Sequence, residues 1–344
     1  MRIDQRWKKR FFPKLDGKLL KPIDCTIAEA ELERPAAPPG GGPSGNFTLD
    51  DDEAYRLWRR EKLARLERAR KSSPTPIANP LALTKVEREA LSAQIADANM
   101  ALYSWSVTPP SDPELDEWLL AFTSSFGLRA VEDHRSANCN GVVRIEIAQG
   151  GGRRGYIPYT DKAISWHTDG YYNYHGPSHC VRAMILHCAR AAQDGGENRL
   201  LDHELAYLRL RDEDADATLL LLHPRAMTIP EATDESGRFR AKNVGPVFFV
   251  DAAGALAMRY TARKKFVEWR NAATRAAAEK LFALIESDPM IRRVKLASGQ
   301  GVLCNNVLHD RTGFVDNQLR ARLLCRIRFH NRIDNASRSE NGAN

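Results

Sequence analysis

The sequence predicts a mixed α+β fold, with helices in the first third of the chain and strands over most of the remainder. Residues 48–126 carry charged helix ends, a capping box and an apolar period of 3.6 residues, all typical of helices. From about residue 140 the pattern changes to short apolar runs that Gly and Pro interrupt, as in strands. These runs are VVRIEIA (142–148), CVRAMILHC (180–188), PVFFV (246–250), ALAMRY (255–260), GVLCNNVLH (301–309) and RARLLCRIRF (320–329). One further helix is expected near 262–286.

Three helices are expected in the N-terminal part. The first, at about 49–71, has acidic residues in its first turn and basic residues in its last, which complement the helix dipole. We interpret its basic end as a solvated face rather than as a nucleic-acid contact. Thr84 and Glu87 form a capping box that begins the second helix, and Asp112-Pro113 begins the third. Apolar residues of the third helix at i, i+3, i+4 and i+7 are Leu115, Trp118, Leu119 and Phe122.

The composition indicates a globular protein with a sizeable core, because 43% of its 344 residues are hydrophobic. The charged N-terminus is unlike a signal peptide, and no apolar run reaches the roughly 18 residues that a membrane span needs. We therefore expect no membrane association and a cytoplasmic location. Six cysteines without a C-x-x-C pair are expected to be reduced. The net charge of +7 is spread along the chain, so it fits anionic small molecules as well as nucleic acid.

A Pro/Gly-rich stretch at 35–46 cannot hold regular structure and marks a linker. The predicted organisation is an N-terminal arm with this linker (1–47), a helical region that packs on the core (48–126), a β-rich core with a helical insertion near 262–286 (127–334) and a polar tail (335–344).

The triplet His167-Thr168-Asp169 has metal-ligand spacing but is a weak signal by itself. Nine His and 44 acidic residues in a chain of this length give about one His-x-Asp/Glu triplet by chance. Its meaning therefore depends on the residues that follow it toward the C-terminus.

The last predicted strand, 320–329, alternates with a period of two. Its odd positions are apolar, whereas Arg occupies four even positions: Arg320, Arg322, Arg326 and Arg328. The cationic face would meet water in a surface strand, or would face a bound carboxylic acid in a barrel interior. Periodicity alone favours the solvent-facing interpretation.

His309 favours the barrel interpretation of this strand over the solvent-facing one. It ends the preceding apolar run and lies thirteen residues before Arg322. Two imidazoles and one carboxylate on one face suit iron(II) and leave three coordination positions open. 2-Oxoglutarate fills two of them through its 1-carboxylate and keto oxygen, and dioxygen takes the third. The distal 5-carboxylate then requires a bidentate cation, which Arg supplies better than Lys. The ordered set of His167, Asp169, His309 and Arg322 thus has one chemical purpose.

With these residues, about 140–330 of the chain resembles the taurine dioxygenase/clavaminate synthase-like family of iron(II)/2-oxoglutarate oxygenases. The motifs that carry the resemblance are ISWHTDGYYN (164–173), GGENRLLD (195–202), NNVLHDRTGF (305–314) and RLLCR (322–326). The resemblance implies a double-stranded β-helix (jelly-roll) core at 127–334 with flanking helices. The 142 positions between His167 and His309 favour this family over the alkylated-nucleic-acid demethylases, whose Arg-x5-Arg pattern the strand also satisfies.

The resemblance also implies roles for individual residues. His167, Asp169 and His309 would bind iron, and Arg322 would hold the 5-carboxylate of 2-oxoglutarate. Asn198 would contact 2-oxoglutarate, although it replaces the Thr or Ser that is common there. Arg320, two residues earlier on the same strand face, could take over the role of Arg322.

Candidate substrate residues come from two sources. Arg326 corresponds to a residue that meets an acidic substrate in some family members, and a guanidinium inside a barrel requires an anion. The alternative is that Arg326 pairs with a protein acid such as Glu146 or Glu197 and only braces the site. Tyr159, Tyr171 and Asn173 flank the metal motif and are candidates for the pocket wall. Arg259 and Arg263 could reach the pocket mouth, but a surface position is expected for both.

The expected function is oxidation of an unactivated C–H bond, by hydroxylation, with iron(II), 2-oxoglutarate and dioxygen and with release of succinate and carbon dioxide. The expected substrate is a small metabolite with an acidic group; nucleic acid is not expected, and a homo-oligomer is left open. Three alternatives remain: an oxygenase of nucleic acid or peptide, a non-enzymatic binding protein on the same barrel, and a coincidence of motifs on an unrelated fold.

Overall fold

The computed structural model of the chain describes the residues from Phe47 to Ile333 with short gaps. The described residues are 47, 49, 51–107, 111–150, 153, 155–233, 237, 239–251, 253–316 and 321–333. The predicted polar tail, Arg320 and all of the predicted arm and linker except Phe47 lie outside them.

Six α-helices lie in the described residues. They are α1 Asp52–Arg70, α2 Lys85–Ala98, α3 Asp112–Ser124, α4 His203–Glu213, α5 Ala215–Leu222 and α6 Ala272–Ser287. The first three confirm the predicted N-terminal helices, and the capping box of Thr84 and Glu87 is formed at the start of α2.

The helix predicted near 262–286 is present as α6 but starts later than expected, and two further helices were not predicted. The helix expected from residue 262 begins only at Ala272, because Asn271 caps it and residues 262–271 form a short turn and strand instead. The helices α4 and α5 were missed altogether. Residues on every side of α4 are buried, so its sequence lacks the one-sided apolar period by which a helix is recognised.

The strands are mostly short. In chain order they are β1 Thr75–Ile77, β2 Met100–Trp105, β3 Val143–Ile145, β4 Ile164–His167, β5 Ala183–Arg190, β6 Asp194–Gly195, β7 Asn198–Leu201, β8 Met227–Ile229, β9 Ala232–Thr233, β10 Phe239–Arg240, β11 Asn243–Gly245, β12 Phe248–Val250, β13 Leu256–Met258, β14 Glu268–Trp269, β15 Arg292–Val294, β16 Gln300–Cys304, β17 Leu308–Arg311, β18 Phe314–Val315 and β19 Leu323–Phe329.

A six-stranded sheet in the order β1-β2-β16-β5-β19-β3 supports one side of the core. The odd residues of its strand β19 are buried in an apolar cluster with α2 and α3, as the period of two predicted. The members of this cluster from β19, α2 and α3 are Leu323, Cys325, Ile327, Phe329, Leu91, Ile95, Leu115, Leu119 and Phe122. The even face of β19 therefore points away from these helices, toward the interior of the protein.

A four-stranded sheet in the order β15-β7-β17-β4 lies on the other side. Its outer face is covered by α6, where Glu286 accepts hydrogen bonds from Arg199 of β7 at 2.7 Å and from the indole of Trp166 of β4 at 2.7 Å. Asp310 of β17 pairs with the same Arg199. Since side chains alternate along a strand, the neighbours His167 and His309 point to the inner face.

The largest apolar cluster contains residues from both sheets. Leu186, Val302 and Leu324 come from the six-stranded sheet, and Leu200 and Leu308 from the four-stranded one. Burial of these side chains stabilises the fold by roughly 1.5–3 kcal/mol each. Among the described residues, no helix combines the length and the apolar character that a membrane span requires.

A buried charge cluster joins α1 to the start of α4. Lys62 is 2% exposed, and its Nζ lies 2.5 Å from Asp202 and 2.6 Å from Glu204. Asp202 is also the N-cap of α4, where its side chain accepts from the Glu204 N–H. Burial alone would raise the pKa of Glu204, but the adjacent Lys62 ammonium holds it below its usual value.

We predict that Lys62→Met lowers the free energy of unfolding by about 3–5 kcal/mol at pH 7, because it leaves two buried carboxylates without their cation. The matched change Arg65→Met, which removes a partly exposed cation paired with the exposed Glu61, should cost no more than about 0.5 kcal/mol. Urea unfolding of wild type and of both variants measures these free energies of unfolding.

The pH dependence of this difference follows from the lowered pKa of Glu204. A carboxyl whose pKa is lower in the folded state stabilises the fold above its unfolded pKa, and this contribution is lost as the pH falls. The stability gap between wild type and Lys62→Met should therefore narrow below about pH 4.5, the ordinary value of this group. A gap that is constant from pH 7 to pH 3.5 would contradict the assigned pairing.

Candidate active site

Two histidines from neighbouring strands meet on the inner face of the four-stranded sheet. His309 of β17 pairs directly with His167 of β4, and their ring centroids are 4.2 Å apart. Directly paired residues point to the same face of a sheet, so the strand register brings the two rings together. Asp169 follows β4 by two residues, and ligand atoms of all three side chains lie within 4.8 Å of one another.

The hydrogen bonds of the two imidazoles leave matching nitrogen atoms free. His167 Nδ1 lies 2.9 Å from the carbonyl oxygen of Ser165, and His309 Nδ1 lies 2.9 Å from that of Val307. Each Nδ1 therefore carries the proton and donates it, which leaves the Nε2 lone pair as a metal ligand.

The charges of the three side chains suit a divalent cation. Burial, together with the adjacent His309, lowers the pKa of His167 to about 3, so its imidazole is neutral at physiological pH. Burial alone would raise the pKa of Asp169, but Arg326 and Arg328 hold it below its usual range and keep the carboxylate charged. Neutral imidazoles and a carboxylate are the protonation states that metal binding requires.

The two oxygens of Asp169 differ in their surroundings. Oδ1 accepts a hydrogen bond from Arg326 Nη1 at 2.9 Å and lies 3.7 Å from Arg328 Nη1. Oδ2 is buried without a hydrogen-bond partner. A buried, charged oxygen without a partner is costly, so this atom is where the residues fit a bound metal ion.

Asn306 holds the backbone that carries Asp169. Its side chain accepts from the Asp169 N–H at 2.8 Å and donates to the carbonyl oxygens of Asp169 at 3.0 Å and Val181 at 2.9 Å. The adjacent Gly170 adopts φ +70°, and a Cβ there would lie 2.4 Å from Val181. Sequence reasoning assigned no role to Asn306, and its only signal was its place in the motif that ends in His309.

Arg322 is a buried cation outside the metal cluster, and one of its N–H groups has no acceptor. It is 3% exposed, its Nη1 has no hydrogen-bond partner, and its guanidinium carbon lies 4.8 Å above the ring centroid of Phe314. Gly196 is next to it, since a Cβ there would be 3.6 Å from Arg322 Nε. Burial lowers the pKa of Arg322. These features fit the binding of an anion such as a carboxylate.

A second cation near Arg322 was missed by sequence reasoning. Arg311 lies two residues after His309 on β17, pairs directly with Asn198 of β7, and places its guanidinium carbon 4.9 Å from the Phe314 ring centroid. It donates to the carbonyl oxygen of Thr160 at 2.8 Å. Burial, with the charge of Arg322, lowers its pKa to about 10. The sequence did contain a sign of this, because residues two apart on a strand point to the same face, and Arg311 lies two residues after His309. Asn198 itself is buried on the same face.

The cationic face of β19 points into the protein. Arg322, Arg326 and Arg328 are 3%, 8% and 3% exposed, so the solvent-facing interpretation is wrong for them. Arg328 pairs with the buried Glu132 and donates to the Tyr172 hydroxyl at 3.1 Å.

The partner of Arg326 differs from the one considered in the sequence analysis. Its guanidinium pairs with Asp169 rather than with Glu146 or Glu197. Arg326 therefore needs no substrate anion to balance its charge, because a protein carboxylate already faces it.

The remaining candidates lie at different distances from the metal cluster. Tyr171 is half-buried, with its ring centroid 6.4 Å from that of His167. Asn173 donates to Glu132 at 3.1 Å and so contacts the partner of Arg328. Tyr159 is buried in the core beneath Arg153, whose guanidinium carbon is 5.3 Å from its ring centroid.

The two arginines that were expected on the surface are placed differently from each other. Arg259 is 3% exposed and donates to the carbonyl oxygens of Met227, Gly245 and Asn243, so its predicted surface position was wrong. Burial is possible because these carbonyl groups accept hydrogen bonds from both Nη groups of the guanidinium. Arg263 is half-buried and packs on Phe266.

Comparisons with known proteins agree with this arrangement. Uridine-5'-phosphate dioxygenases from Amycolatopsis sp and Streptomyces sp are 32% and 31% identical over 174 and 192 residues. These matches span 48% and 52% of this chain and 60% and 66% of the relatives, so the chain covers less than two thirds of either one.

The structure of asparagine oxygenase in complex with Fe(II), 2S,3S-3-hydroxyasparagine and succinate is similar with a TM-score of 0.54 at 16% identity. The similarity covers 78% of this chain and 90% of that one, and at this identity it concerns the fold.

The model of the family described as "Taurine catabolism dioxygenase TauD, TfdA family" matches residues 113–328. This match spans more than half of the chain and includes β4 and β17 with their histidines. The chain therefore belongs to the TauD/TfdA family of dioxygenases.

Proposed function

We propose that the protein is an iron(II)- and 2-oxoglutarate-dependent dioxygenase whose metal is held by His167, Asp169 and His309. The observation that carries the proposal is the convergence of two free imidazole nitrogens and one buried carboxylate oxygen without a partner. Two histidines and one carboxylate form the ligand set that suits non-haem iron(II) with open positions. Membership of the TauD/TfdA family supports it.

The proposal extends to the fold, which we interpret as a double-stranded β-helix (jelly-roll). Its support is the order in which the chain visits the two sheets. The strands β3, β5, β16 and β19 belong to the six-stranded sheet, and β4, β7 and β17, which come between them in the chain, belong to the four-stranded one. Such alternation places a ligand site between two facing sheets.

Arg322 is proposed to hold the 5-carboxylate of 2-oxoglutarate. It is buried with an unpartnered Nη1, and a planar guanidinium matches a carboxylate in two parallel hydrogen bonds. Arg311 adds positive charge nearby, and backbone carbonyls engage its Nη groups, so its contribution is mainly electrostatic. Asn198, on the same sheet face, is proposed to contact the co-substrate as well.

The proposed reaction converts substrate C–H, 2-oxoglutarate and O2 into substrate C–OH, succinate and CO2, and all atoms balance. Iron(II) with 2-oxoglutarate and dioxygen supplies the oxidant for an unactivated C–H bond. The chain's own residues bind and orient: the imidazole tautomers are fixed by backbone carbonyls, and the inward apolar faces of both sheets exclude water.

Arg326 is proposed to position Asp169 rather than to hold the substrate's acidic group. Its Nη1 binds Oδ1, which leaves Oδ2 as the one oxygen directed to the metal. A carboxylate that binds through one oxygen uses one coordination position and keeps three open. Arg328, fixed by Glu132, supports the same oxygen from 3.7 Å.

The primary substrate is proposed to be a small acidic metabolite. The named relatives act on uridine-5'-phosphate, and the asparagine oxygenase structure contains a hydroxylated amino acid. Tyr171, beside the half-buried His167, is proposed to line the substrate pocket, as are Asn173 and Tyr159.

We predict that Asp169→Ala, His167→Ala and His309→Ala each abolish substrate-stimulated succinate formation and weaken Co(II) binding at least a hundredfold, because each removes a ligand. The exposed Asp133 provides a carboxylate control, and Asp133→Ala should retain both properties. Full turnover by purified Asp169→Ala would refute the metal assignment.

We predict that Arg322→Gln weakens 2-oxoglutarate binding by about 2–5 kcal/mol, as expected when one partner of a buried charge pair is lost. Arg320→Gln is the matched control and should have a far smaller effect. Anaerobic titration of the metal-loaded protein measures both. If the two variants rank in the opposite order, the anchoring residue has been misassigned.

We predict that Arg326→Met raises the Kd of Co(II) at least tenfold, since Asp169 loses the group that orients it. At saturating metal, its KM for the primary substrate should stay within about threefold of wild type. Normal Co(II) affinity with a large rise in substrate KM would contradict this role and would indicate that Arg326 binds the substrate.

A further inference from the structure

A short chain segment runs antiparallel beside the metal-binding strand. Thr261 forms a β-bridge with His167, the Ala262 N–H donates to the Trp166 carbonyl at 2.8 Å, and the Thr168 N–H donates to the Tyr260 carbonyl at 3.0 Å. Residues 260–262 therefore extend the edge of the four-stranded sheet at the metal cluster.

A basic turn, defined here as residues 263–266, follows this segment directly. Its sequence is Arg263-Lys264-Lys265-Phe266, and Lys264–Phe266 form one 3-10 turn. Paired residues point to the same sheet face, and so do residues two apart in an extended chain. Arg263 thus follows Thr261 and His167 onto the inner face, with its Cα roughly 7 Å along the chain from that of Thr261. A long guanidinium side chain starting there can reach the substrate beside the metal.

The basic turn lies on the accessible side of the metal cluster. His167 is half-buried, whereas Asp169 and His309 are 6% and 8% exposed. His167 is therefore the most accessible of the three candidate ligands, and it is the one to which Thr261 is bridged.

Three of the four residues of this turn are cations. Within the described part of the chain, neither Arg263 nor Lys264 nor Lys265 forms an ion pair, and both lysines are exposed. The nearest acid in sequence, Glu268, is exposed on β14. Three adjacent positive charges without a counter-ion attract a multiply charged anion to this point.

An exposed aromatic ring completes the turn. Phe266 is 50% exposed, and the Arg263 guanidinium carbon lies 4.3 Å from its ring centroid. The ring holds the guanidinium in a fixed plane, and a planar guanidinium presents paired donors that match phosphate oxygens.

We propose that the basic turn binds a phosphate monoester group on the primary substrate, with Arg263 as the bidentate donor and Lys264 and Lys265 as supporting charges. This rests on the proposed function, whose substrate class it narrows. A phosphate monoester carries up to two negative charges at neutral pH, which suits a cluster of cations better than one carboxylate does. Arg326 is buried against Asp169, whereas the cations of the basic turn form no ion pair with any residue that the structure describes.

The test measures binding rather than turnover. The full-length protein, loaded with Co(II) and 2-oxoglutarate without oxygen, is titrated calorimetrically with uridine 5'-monophosphate, uridine and inorganic phosphate. The variants are Arg263→Met and the double change Lys264→Met/Lys265→Met. Matched controls are Arg275→Met on α6 and Lys85→Met on α2, both at exposed positions.

We expect Arg263→Met to raise the Kd of the phosphate-bearing probes at least tenfold, with Co(II) and 2-oxoglutarate affinities unchanged. The double lysine variant should have a smaller effect and should flatten the salt dependence of binding. Any affinity for uridine should change less than twofold, and the controls should match wild type.

Three results would be decisive against one of the proposals. If wild type binds Co(II) and 2-oxoglutarate but neither phosphate probe, the phosphate subsite is wrong and the proposed function stands. Equal losses in Arg263→Met and Arg275→Met would also overturn the subsite. If wild type binds no Co(II) or no 2-oxoglutarate, the proposed function itself fails.

Discussion

The contact between Arg326 and Asp169 is the constraint on which the site depends. A carboxylate with 6% exposure must have cations around it, and this one has guanidinium groups at Oδ1 but no hydrogen-bond partner at Oδ2. Arg326 belongs to the six-stranded sheet, whereas the histidines belong to the four-stranded sheet. The metal cluster can therefore form only when the two sheets meet at the right distance, which the shared apolar core sets. Folding and assembly of the site are the same event.

The buried arginines of this protein have different kinds of neighbours. On the even face of β19, Arg322 keeps an Nη1 without a hydrogen-bond partner, whereas Arg326 and Arg328 face protein carboxylates. The ring of Phe314 contacts the guanidinium groups of both Arg311 and Arg322. Aromatic and carboxylate neighbours thus decide which cations remain available to ligands and which serve the structure.

Local patterns predicted the parts of the structure that local physics controls. The Thr84 capping box, the two faces of β19 and the grouping of His167 with Asp169 and His309 all follow from short-range spacing or from coordination chemistry. The pairing of Arg326 with Asp169 does not, because it joins residues 157 positions apart through a sheet register that no sequence period encodes. Helix α4 was not predicted for a related reason. It is buried on all sides, so its sequence has no polar face and no one-sided apolar period of 3.6 residues.

The two faces of β17 have a consequence for how such a chain can change length. Inward, the strand presents His309 and Arg311; outward, Asp310 joins Arg199 and α6. Losing one residue from the short connection between β16 and β17 would shift the strand by one position and exchange these faces. Asp310 would then point at the cluster and His309 at α6. The connection before His309 must therefore keep its length.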